Sequence, residues 1–261
     1  MSVTNLNQPN NTIPLTNFPI ADRSIVESPM IYARIAAVLY IIITVAAVFA
    51  HFYMPSELIV ADDPATTTSN IANSLDLFRF AGVGGELVVL LSEVILSILL
   101  YALLKPVNRT LSLLAATARL VMTAVHGINL MNYGFILMLL GNPVIANAFD
   151  PEQTNALVSL FLEAHSFGFT LGIAFLVIHV FALGVLIFQS GYFPRLLGVL
   201  FLLAGIGYLV ETTAILFVDG YTETSGLIAF VIAAAEIAFP IWLLIWGVNR
   251  NRWAEKIRSA N

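Results

Sequence analysis

The fold class is decided by residues 78–104, which read FRFAGVGGELVVLLSEVILSILLYALL. This apolar stretch is longer than the roughly 20 residues that a helix needs to cross a bilayer. Two carboxylates, Glu86 and Glu93, nevertheless lie inside it. Because a charge in hydrocarbon is costly, such residues usually face a bundle interior, a partner or a water-filled path. The stretch therefore predicts a membrane-spanning helix that carries a polar stripe.

Five further apolar runs predict five more spans. The chain has 261 residues, of which 59% are hydrophobic and 10% are charged, whereas soluble domains carry roughly 25% charged residues. The sequence therefore predicts an all-α, polytopic membrane protein with a six-transmembrane-helix bundle in residues 30–248. The predicted spans are residues 31–53, 78–104, 111–140, 157–188, 194–218 and 226–248.

The two ends of the chain differ from its apolar centre. Residues 1–29 are polar and rich in Asn and Pro, which predicts a disordered tail, and residues 249–261 form a basic tail. Lys and Arg are concentrated in the tails and in the loops after the second and fourth spans, whereas the opposite loops are acidic. By the positive-inside rule, we expect both termini in the cytoplasm and a multi-pass protein of the inner or plasma membrane.

Local signals predict several helix ends. Ser28 and Pro29 are typical of a helix start, and Asp63 followed by Pro64 predicts the cap of a short helix in the first outer loop. Residues 150–153 read DPEQ, which predicts a capping box at the start of the fourth span. A helix that continues unbroken from there is too long for one bilayer crossing, so we expect its first turns to stand outside or the helix to tilt.

Ionisable residues recur in the other spans and are the candidates for a functional site. Residues seven apart nearly align on a helix, so Glu86 and Glu93 share a stripe, as do Arg119 and His126 in the third span. The candidates for a substrate or ion path are Glu86, Glu93, Arg119, His126 and Glu236, and the secondary candidates are His165, His179 and Glu211.

The second and third spans predict an ion pair. A short turn joins them, so they should be antiparallel neighbours, and Glu93 and Arg119 then lie at depths that differ by only about 5 Å. We predict that these two residues pair, with His126 close by and with Glu86 and His126 nearer the outer side of the membrane than the pair. Such a pair either holds two helices together or forms part of a gate or binding site, and the sequence leaves both readings open.

Glu236 lies four residues before Pro240. Because proline has no N–H, it leaves the carbonyl of Glu236 without its helical donor and should kink the helix. A carboxylate beside a free carbonyl is typical of a cation or proton site, although an ordinary proline kink fits the pattern too. Five carboxylates in or beside the spans face a single Arg, and unpaired buried carboxylates tend to be protonated or to hold a cation.

Several classes of function receive no support. The chain has no cysteine, no HExxH motif, no phosphate loop and no dinucleotide fingerprint. We therefore predict no catalytic residue, no metal and no cofactor. Its 11 Lys and Arg are scattered, so no nucleic-acid partner is expected. The expected partners are the lipid bilayer and a small molecule or ion that the sequence does not identify, and a homo-oligomer is compatible with the pattern.

Several short motifs resemble one known family. They lie at residues 33–44 (ARIAAVLYIIIT), 103–108 (LLKPVN), 118–121 (ARLV), 149–153 (FDPEQ), 165–168 (HSFG) and 190–198 (SGYFPRLLG). Together they are similar to the bacterial and archaeal membrane family called domain of unknown function 4386. The resemblance covers residues 31–248 and implies a multi-span membrane protein. It implies no activity, so it assigns no catalytic residue.

Three functions remain open on the sequence alone. The leading hypothesis is a polar, carboxylate-rich interior that binds or passes a small solute, ion or proton. A membrane-embedded enzyme acting on a lipid-like substrate is less favoured, and it would need His165, His179 and carboxylates to converge on one cavity open to the bilayer. The third is a structural or regulatory membrane partner with no solute pathway, whose polar groups only hold helices together.

Overall fold

The computed structural model describes residues 29–221 and 224–260, which form eight main helices and a single helical turn at Pro143–Ala146. The helices are α1 Pro29–Leu58, α2 Pro64–Asn73, α3 Leu75–Leu104, α4 Arg109–Gly141, α5 Pro151–Ser190, α6 Arg195–Phe217, α7 Gly226–Ile245 and α8 Arg250–Ala260. Six of them, α1 and α3 to α7, are long and apolar enough to cross a membrane. No β-strand occurs in these residues. The predicted six-transmembrane-helix bundle is confirmed.

The predicted N-terminal tail, including the Ser28 cap, lies outside the described residues except for Pro29, which begins α1.

The six spans form a closed ring in sequence order. Each span packs against the next one along the chain, and α7 packs against α1. Short connections favour such an arrangement, because consecutive helices become antiparallel neighbours. The ring places one face of every span toward a common centre, where the polar stripes can meet.

The predicted helix caps at Asp63 and Asp150 are confirmed. The Asp150 carboxylate accepts from the Gln153 N–H at 2.8 Å, and the Gln153 side chain accepts from the Asp150 N–H at 3.2 Å. Helix α5 has 40 residues and is therefore about 60 Å long, twice the roughly 30 Å of a hydrocarbon core. At the start of α2, hydrogen bonds from the Thr66 hydroxyl and N–H hold the pKa of the exposed Asp63 carboxyl below its ordinary value.

Helices α5 and α6 pack backbone against backbone. Gly191, with φ of 74°, ends α5 in the left-handed conformation, and Pro194 precedes α6. A Cβ at Gly198 would lie 2.6 Å from the Phe188 nitrogen and 2.8 Å from the Gly184 oxygen, so only glycine permits this approach. The close contact fixes the part of α5 that carries His179.

Three features of the helices differ from the predicted pattern. Val48–Tyr53 in α1 and Phe78–Gly84 in α3 are π-helical and contact each other. Helix α4 is interrupted at Leu130, between two α-helical segments. Residues 250–260 of the basic C-terminal tail form the helix α8, which the sequence pattern did not predict.

Candidate functional site

A cavity of about 90 Å³ lies at the centre of the ring, and residues from all six spans line it. We call it the central cavity. Its volume suits a few water molecules, at roughly 30 Å³ each, and is far below the roughly 300–1,000 Å³ of pockets for drug-sized ligands. One ionisable residue from each of the second, third, fourth and sixth spans lies there. Its polar lining consists of Tyr40, Thr44, Glu93, Arg119, His179 and Glu236.

Arg119 and Glu93 form a buried, bidentate ion pair on one wall of the central cavity. Arg119 Nη2 donates to Glu93 Oε1 at 2.8 Å, and Arg119 Nε donates to Glu93 Oε2. Both side chains are buried. A planar guanidinium matches the two oxygens of a carboxylate in this way, which makes the pair strong and directional. The predicted Glu93–Arg119 pair is confirmed.

His179 and Tyr40 complete the surroundings of Arg119. His179 Nδ1 lies 2.8 Å from the Ala115 carbonyl oxygen and must donate to it, since a carbonyl oxygen only accepts. His179 Nε2 lies 3.0 Å from Arg119 Nη1 and must therefore accept. These contacts assign a neutral imidazole with its proton on Nδ1. The same Arg119 Nη1 lies 3.4 Å from the Tyr40 hydroxyl, so the guanidinium joins α1, α3, α4 and α5.

Glu236 has a different environment on α7. Its carboxylate accepts a hydrogen bond from the Tyr208 hydroxyl on α6. Across residues 29–221 and 224–260 it forms no ion pair. Pro240 is buried inside the same helix. Glu236 and Thr44 are the exposed members of the lining, and they belong to the neighbouring helices α7 and α1. The central cavity therefore opens between these two helices.

Glu86 belongs to a second polar cluster, which we call the Glu86 cluster and which consists of Glu86, His51, His165 and Tyr133. Glu86 Oε1 lies 2.9 Å from His165 Nε2 and 3.9 Å from His51 Nδ1. The Tyr133 ring stacks on His165 with ring centroids 3.8 Å apart. Glu86 Oε1 and His165 Nε2 are buried, yet neither makes a well-aligned hydrogen bond. Glu86 lies seven residues from Glu93, or about 10 Å along α3.

Among the described residues, no hydrogen bond joins His126 to Glu93 or Arg119, and its side chain packs against α5 instead. Its Nε2 donates to the Phe169 carbonyl at 2.9 Å, and its ring stacks on Phe169 with centroids 4.6 Å apart. Its ring packs directly over Gly172, where a Cβ would overlap it. The His126 side chain can reach α5 because glycine has no side chain to occupy this space at position 172. His126 therefore ties α4 to α5.

The remaining secondary candidates lie in separate places. His165 and His179 are 14 residues apart on α5, or about 21 Å along the helix, and contact different clusters. The convergence that the enzyme hypothesis needs is therefore absent. Glu211 accepts from the Thr224 hydroxyl and, at 3.1 Å, from the Tyr221 hydroxyl at the α6–α7 loop. Within the described part of the chain, no group of three His, Asp or Glu is arranged to hold a metal ion.

Sequence reasoning missed three participants in the central site. Tyr40, Thr44 and Tyr208 supply hydroxyl groups to the central cavity or to Glu236. A signal for the tyrosines was present, because a tyrosine hydroxyl in the middle of an apolar run needs a hydrogen-bond partner. The sequence carried no indication of which partner each one would find.

The fold and the site define a class: a membrane protein with six spans in a closed ring around a small, charged cavity. The chain belongs to the family described as Domain of unknown function (DUF4386), whose model matches residues 35–247. The family resemblance of the sequence motifs is thus confirmed. An uncharacterized protein from Archaeoglobus fulgidus is 29% identical over 164 residues, which cover 62% of this chain and 82% of that protein. No solved structure matches the chain.

Proposed function

We propose that the central cavity binds a proton or a small monovalent cation at Glu236 and that the protein passes this ion along its polar interior. The observation that supports the proposal is the charge balance of the cavity. Arg119 is engaged by Glu93 through two hydrogen bonds, whereas Glu236 has the neutral Tyr208 hydroxyl as its contact. One cation therefore faces two carboxylates.

No other lining group supplies the missing positive charge. His179 accepts a hydrogen bond at Nε2 from Arg119, so a second proton on that ring would abolish the contact and place two positive charges side by side. Ionised Glu236 would leave the cavity negative in surroundings of low dielectric constant, which is unfavourable. Uptake of one positive charge at Glu236 removes this penalty.

The dimensions of the central cavity favour a small ion over a larger solute. A volume of about 90 Å³ accommodates a cation with a few waters, or a proton carried by a short water chain. The opening beside Thr44 and Glu236 lies in the middle of α1 and α7 and faces the bilayer, so exchange with water requires polar groups along the spans.

A pathway needs polar groups beyond the central cavity, and the Glu86 cluster supports such an extension. Glu86 lies two helical turns from Glu93 on the same side of α3. The contact between Glu86 and His165 is poorly aligned, so it leaves buried polar atoms without good hydrogen-bond partners. We propose that the path includes Glu86 for this reason, and His126 beside it, because the Phe169 ring contacts both His126 and His51 of the Glu86 cluster. Buried polar atoms of this kind are unfavourable unless a bound species completes their hydrogen bonds.

We also propose that both termini lie in the cytoplasm and that the protein resides in the plasma membrane. The basic residues at the α8 end of the ring support this orientation. Single-cysteine variants test this orientation without background labelling, because the chain contains no cysteine of its own. Ala65→Cys on α2 should react with an impermeant maleimide on intact cells, and Ser259→Cys on α8 should react only after lysis. The reverse pattern would overturn the orientation.

Ion flux through proteoliposomes tests the proposed function. Vesicles with an internal pH dye should show faster decay of a pH gradient, or of a Na⁺ or K⁺ gradient in parallel assays, than empty vesicles. Glu236→Gln should lose that activity. Asp76→Asn is the matched control, because Asp76 is an exposed carboxylate on α3 paired with Arg79, and this variant should retain it.

A structural role is the second candidate, and one observation favours it. Arg119 is hydrogen-bonded to both Glu93 and His179, which lie on two other helices, as a structural contact between helices would require. Two results would support the structural role and overturn the proposed ion pathway. One is that vesicles with the wild-type protein leak none of the three ions faster than empty vesicles, and the other is that the Glu236→Gln variant is as active as the wild type.

A further inference from the structure

A groove at the α8 end of the ring has the size and chemistry of a ligand site, and it is separate from the central cavity. We call it the α8 groove. It encloses about 370 Å³, which falls within the roughly 300–1,000 Å³ of small-molecule pockets. It is formed by the turn after α5, the last turns of α7 and the first turn of α8. The lining includes Phe193, Pro194, Trp242, Trp246, Asn249 and Arg252.

The walls of the α8 groove are held in place by hydrogen bonds to the ring. The Tyr192 hydroxyl donates to the Leu103 carbonyl at 2.7 Å, and Trp253 Nε1 donates to the same oxygen at 3.3 Å. The Asn249 N–H donates to the Tyr192 carbonyl at 3.4 Å. Trp253 is 2% exposed. Helix α8 is thus docked on the ring, and the groove exists without a ligand to organise it.

The polar end of the groove is basic. Arg252 Nη1 donates to the Gly191 carbonyl at 3.0 Å, which holds the guanidinium at the rim. Arg252 is exposed and forms no ion pair with any described residue, so its other N–H groups remain available. A guanidinium with free donors matches a phosphate group. Helix α8 also carries Arg250, Lys256 and Arg258 against the single acidic residue Glu255.

The other end of the groove is apolar and continues the lipid-facing surface of α7. Trp242 and Trp246 stack with ring centroids 4.7 Å apart, and Trp246 is 56% exposed. Ile245, beside them, is 58% exposed. Tryptophans at the end of a span are typical of the membrane–water interface. A ligand that fits must therefore carry an anionic group at one end and hydrocarbon at the other.

We propose that the α8 groove binds an anionic phospholipid, with the phosphate at Arg252 and the glycerol and acyl chain along Trp246. Charge complementarity and the continuity of the groove with the lipid-facing surface favour a membrane lipid over free phosphate, which has no apolar part. The proposal is independent of the ion pathway, because no residue of the α8 groove lines the central cavity.

Quenching of tryptophan fluorescence by brominated lipids tests the proposal. The chain has three tryptophans: Trp242 and Trp246 line the groove, and Trp253 is buried and serves as an internal reference for the fold. In nanodiscs, brominated phosphatidylglycerol should quench more strongly than brominated phosphatidylcholine at equal mole fraction. Free glycerol phosphate should not compete with the brominated lipid.

Two charge variants separate a defined site from general attraction. Arg252→Gln should weaken the apparent affinity for the anionic lipid roughly fivefold, the usual effect of one basic residue near an anionic surface. Arg258→Gln, on the same helix but outside the groove, should change it less. Equal quenching by the two lipids, or identical effects of the two variants, would overturn the proposal. Competition by glycerol phosphate would instead assign the site to a soluble phosphate ligand and overturn the lipid assignment.

Discussion

His179 accepts a hydrogen bond from Arg119 at 3.0 Å through Nε2 while its Nδ1 donates to the Ala115 carbonyl at 2.8 Å. The relationship fixes the orientation of the imidazole and directs one edge of the guanidinium toward α5. The opposite edge of Arg119 engages Glu93 on α3. A single cation therefore organises the centre of the ring, and no hydrogen bond between described residues joins it to Glu236.

The hydrogen bonds predict opposite imidazole tautomers at two positions. His179 should carry its proton on Nδ1, because that nitrogen faces the Ala115 carbonyl, and His126 should carry its proton on Nε2, which faces the Phe169 carbonyl. Nitrogen-15 NMR of histidine-labelled protein distinguishes the two forms, and His179→Gln and His126→Gln variants assign the signals. A doubly protonated His179 at neutral pH would contradict the described contacts.

Loss of Arg119 should destabilise the protein far more than loss of Arg79. Arg119→Gln leaves Glu93 buried without its cation, a change that typically costs about 3–5 kcal/mol. Arg79→Gln breaks the exposed ion pair with Asp76, a change worth about 0–1 kcal/mol. The measurement is the free energy of unfolding in detergent micelles. Equal losses in the two variants would show that the central pair contributes nothing beyond a surface contact.

Gly172→Ala should be destabilising, whereas Gly134→Ala should be neutral or stabilising. A Cβ at Gly172 would overlap the His126 ring, while nothing lies within 4 Å of the Cβ position at Gly134. Overpacking of this kind costs about 1–3 kcal/mol, and alanine is favoured over glycine in a helix by about 0.5–1 kcal/mol. Thermal unfolding of both variants measures the difference. A stabilised Gly172→Ala protein would contradict the His126–Gly172 contact.

Water should reach Thr44 but not its neighbour Val45. Thr44 lines the central cavity, whereas Val45 is an exposed apolar side chain on the outer surface of α1. In single-cysteine variants, Thr44→Cys should react with a small water-soluble thiosulfonate, and Val45→Cys should react much more slowly, because a thiol in hydrocarbon stays protonated and meets little reagent. Equal rates at the two positions would contradict a hydrated central cavity.

The sequence predicted what depends on local rules. The cap at Asp150 follows from four consecutive residues, and the Glu93–Arg119 pair follows from a short turn and the helical rise. The position of His126 could not be inferred in this way. Its side chain on α4 could have packed against α3 or against α5, and it packs against α5 because Gly172 leaves space there. The hydrogen bond between Tyr208 and Glu236 joins α6 to α7. It depends on the geometry of the loop between these helices, which the periodicity of the apolar residues does not specify.

The π-helical segments were unpredictable for a related reason. Val48–Tyr53 (VFAHFY) and Phe78–Gly84 (FRFAGVG) both lie inside long apolar runs, and they pack against each other. A wider turn of this kind is determined by tertiary packing and is often found near functional sites. His51 lies inside the first segment and Glu86 follows the second, so both segments border the Glu86 cluster.

The central claim is that Glu236 holds one positive charge inside the ring, and infrared difference spectroscopy of its carboxyl group tests this most directly. In buffer whose only cation is choline, wild-type protein should show a protonated carboxyl C=O band that Glu236→Gln lacks. Added Na⁺ or K⁺ should diminish the band if a metal cation replaces the proton. Identical carboxyl bands in the wild type and Glu236→Gln, with no change on adding either cation, would contradict the claim.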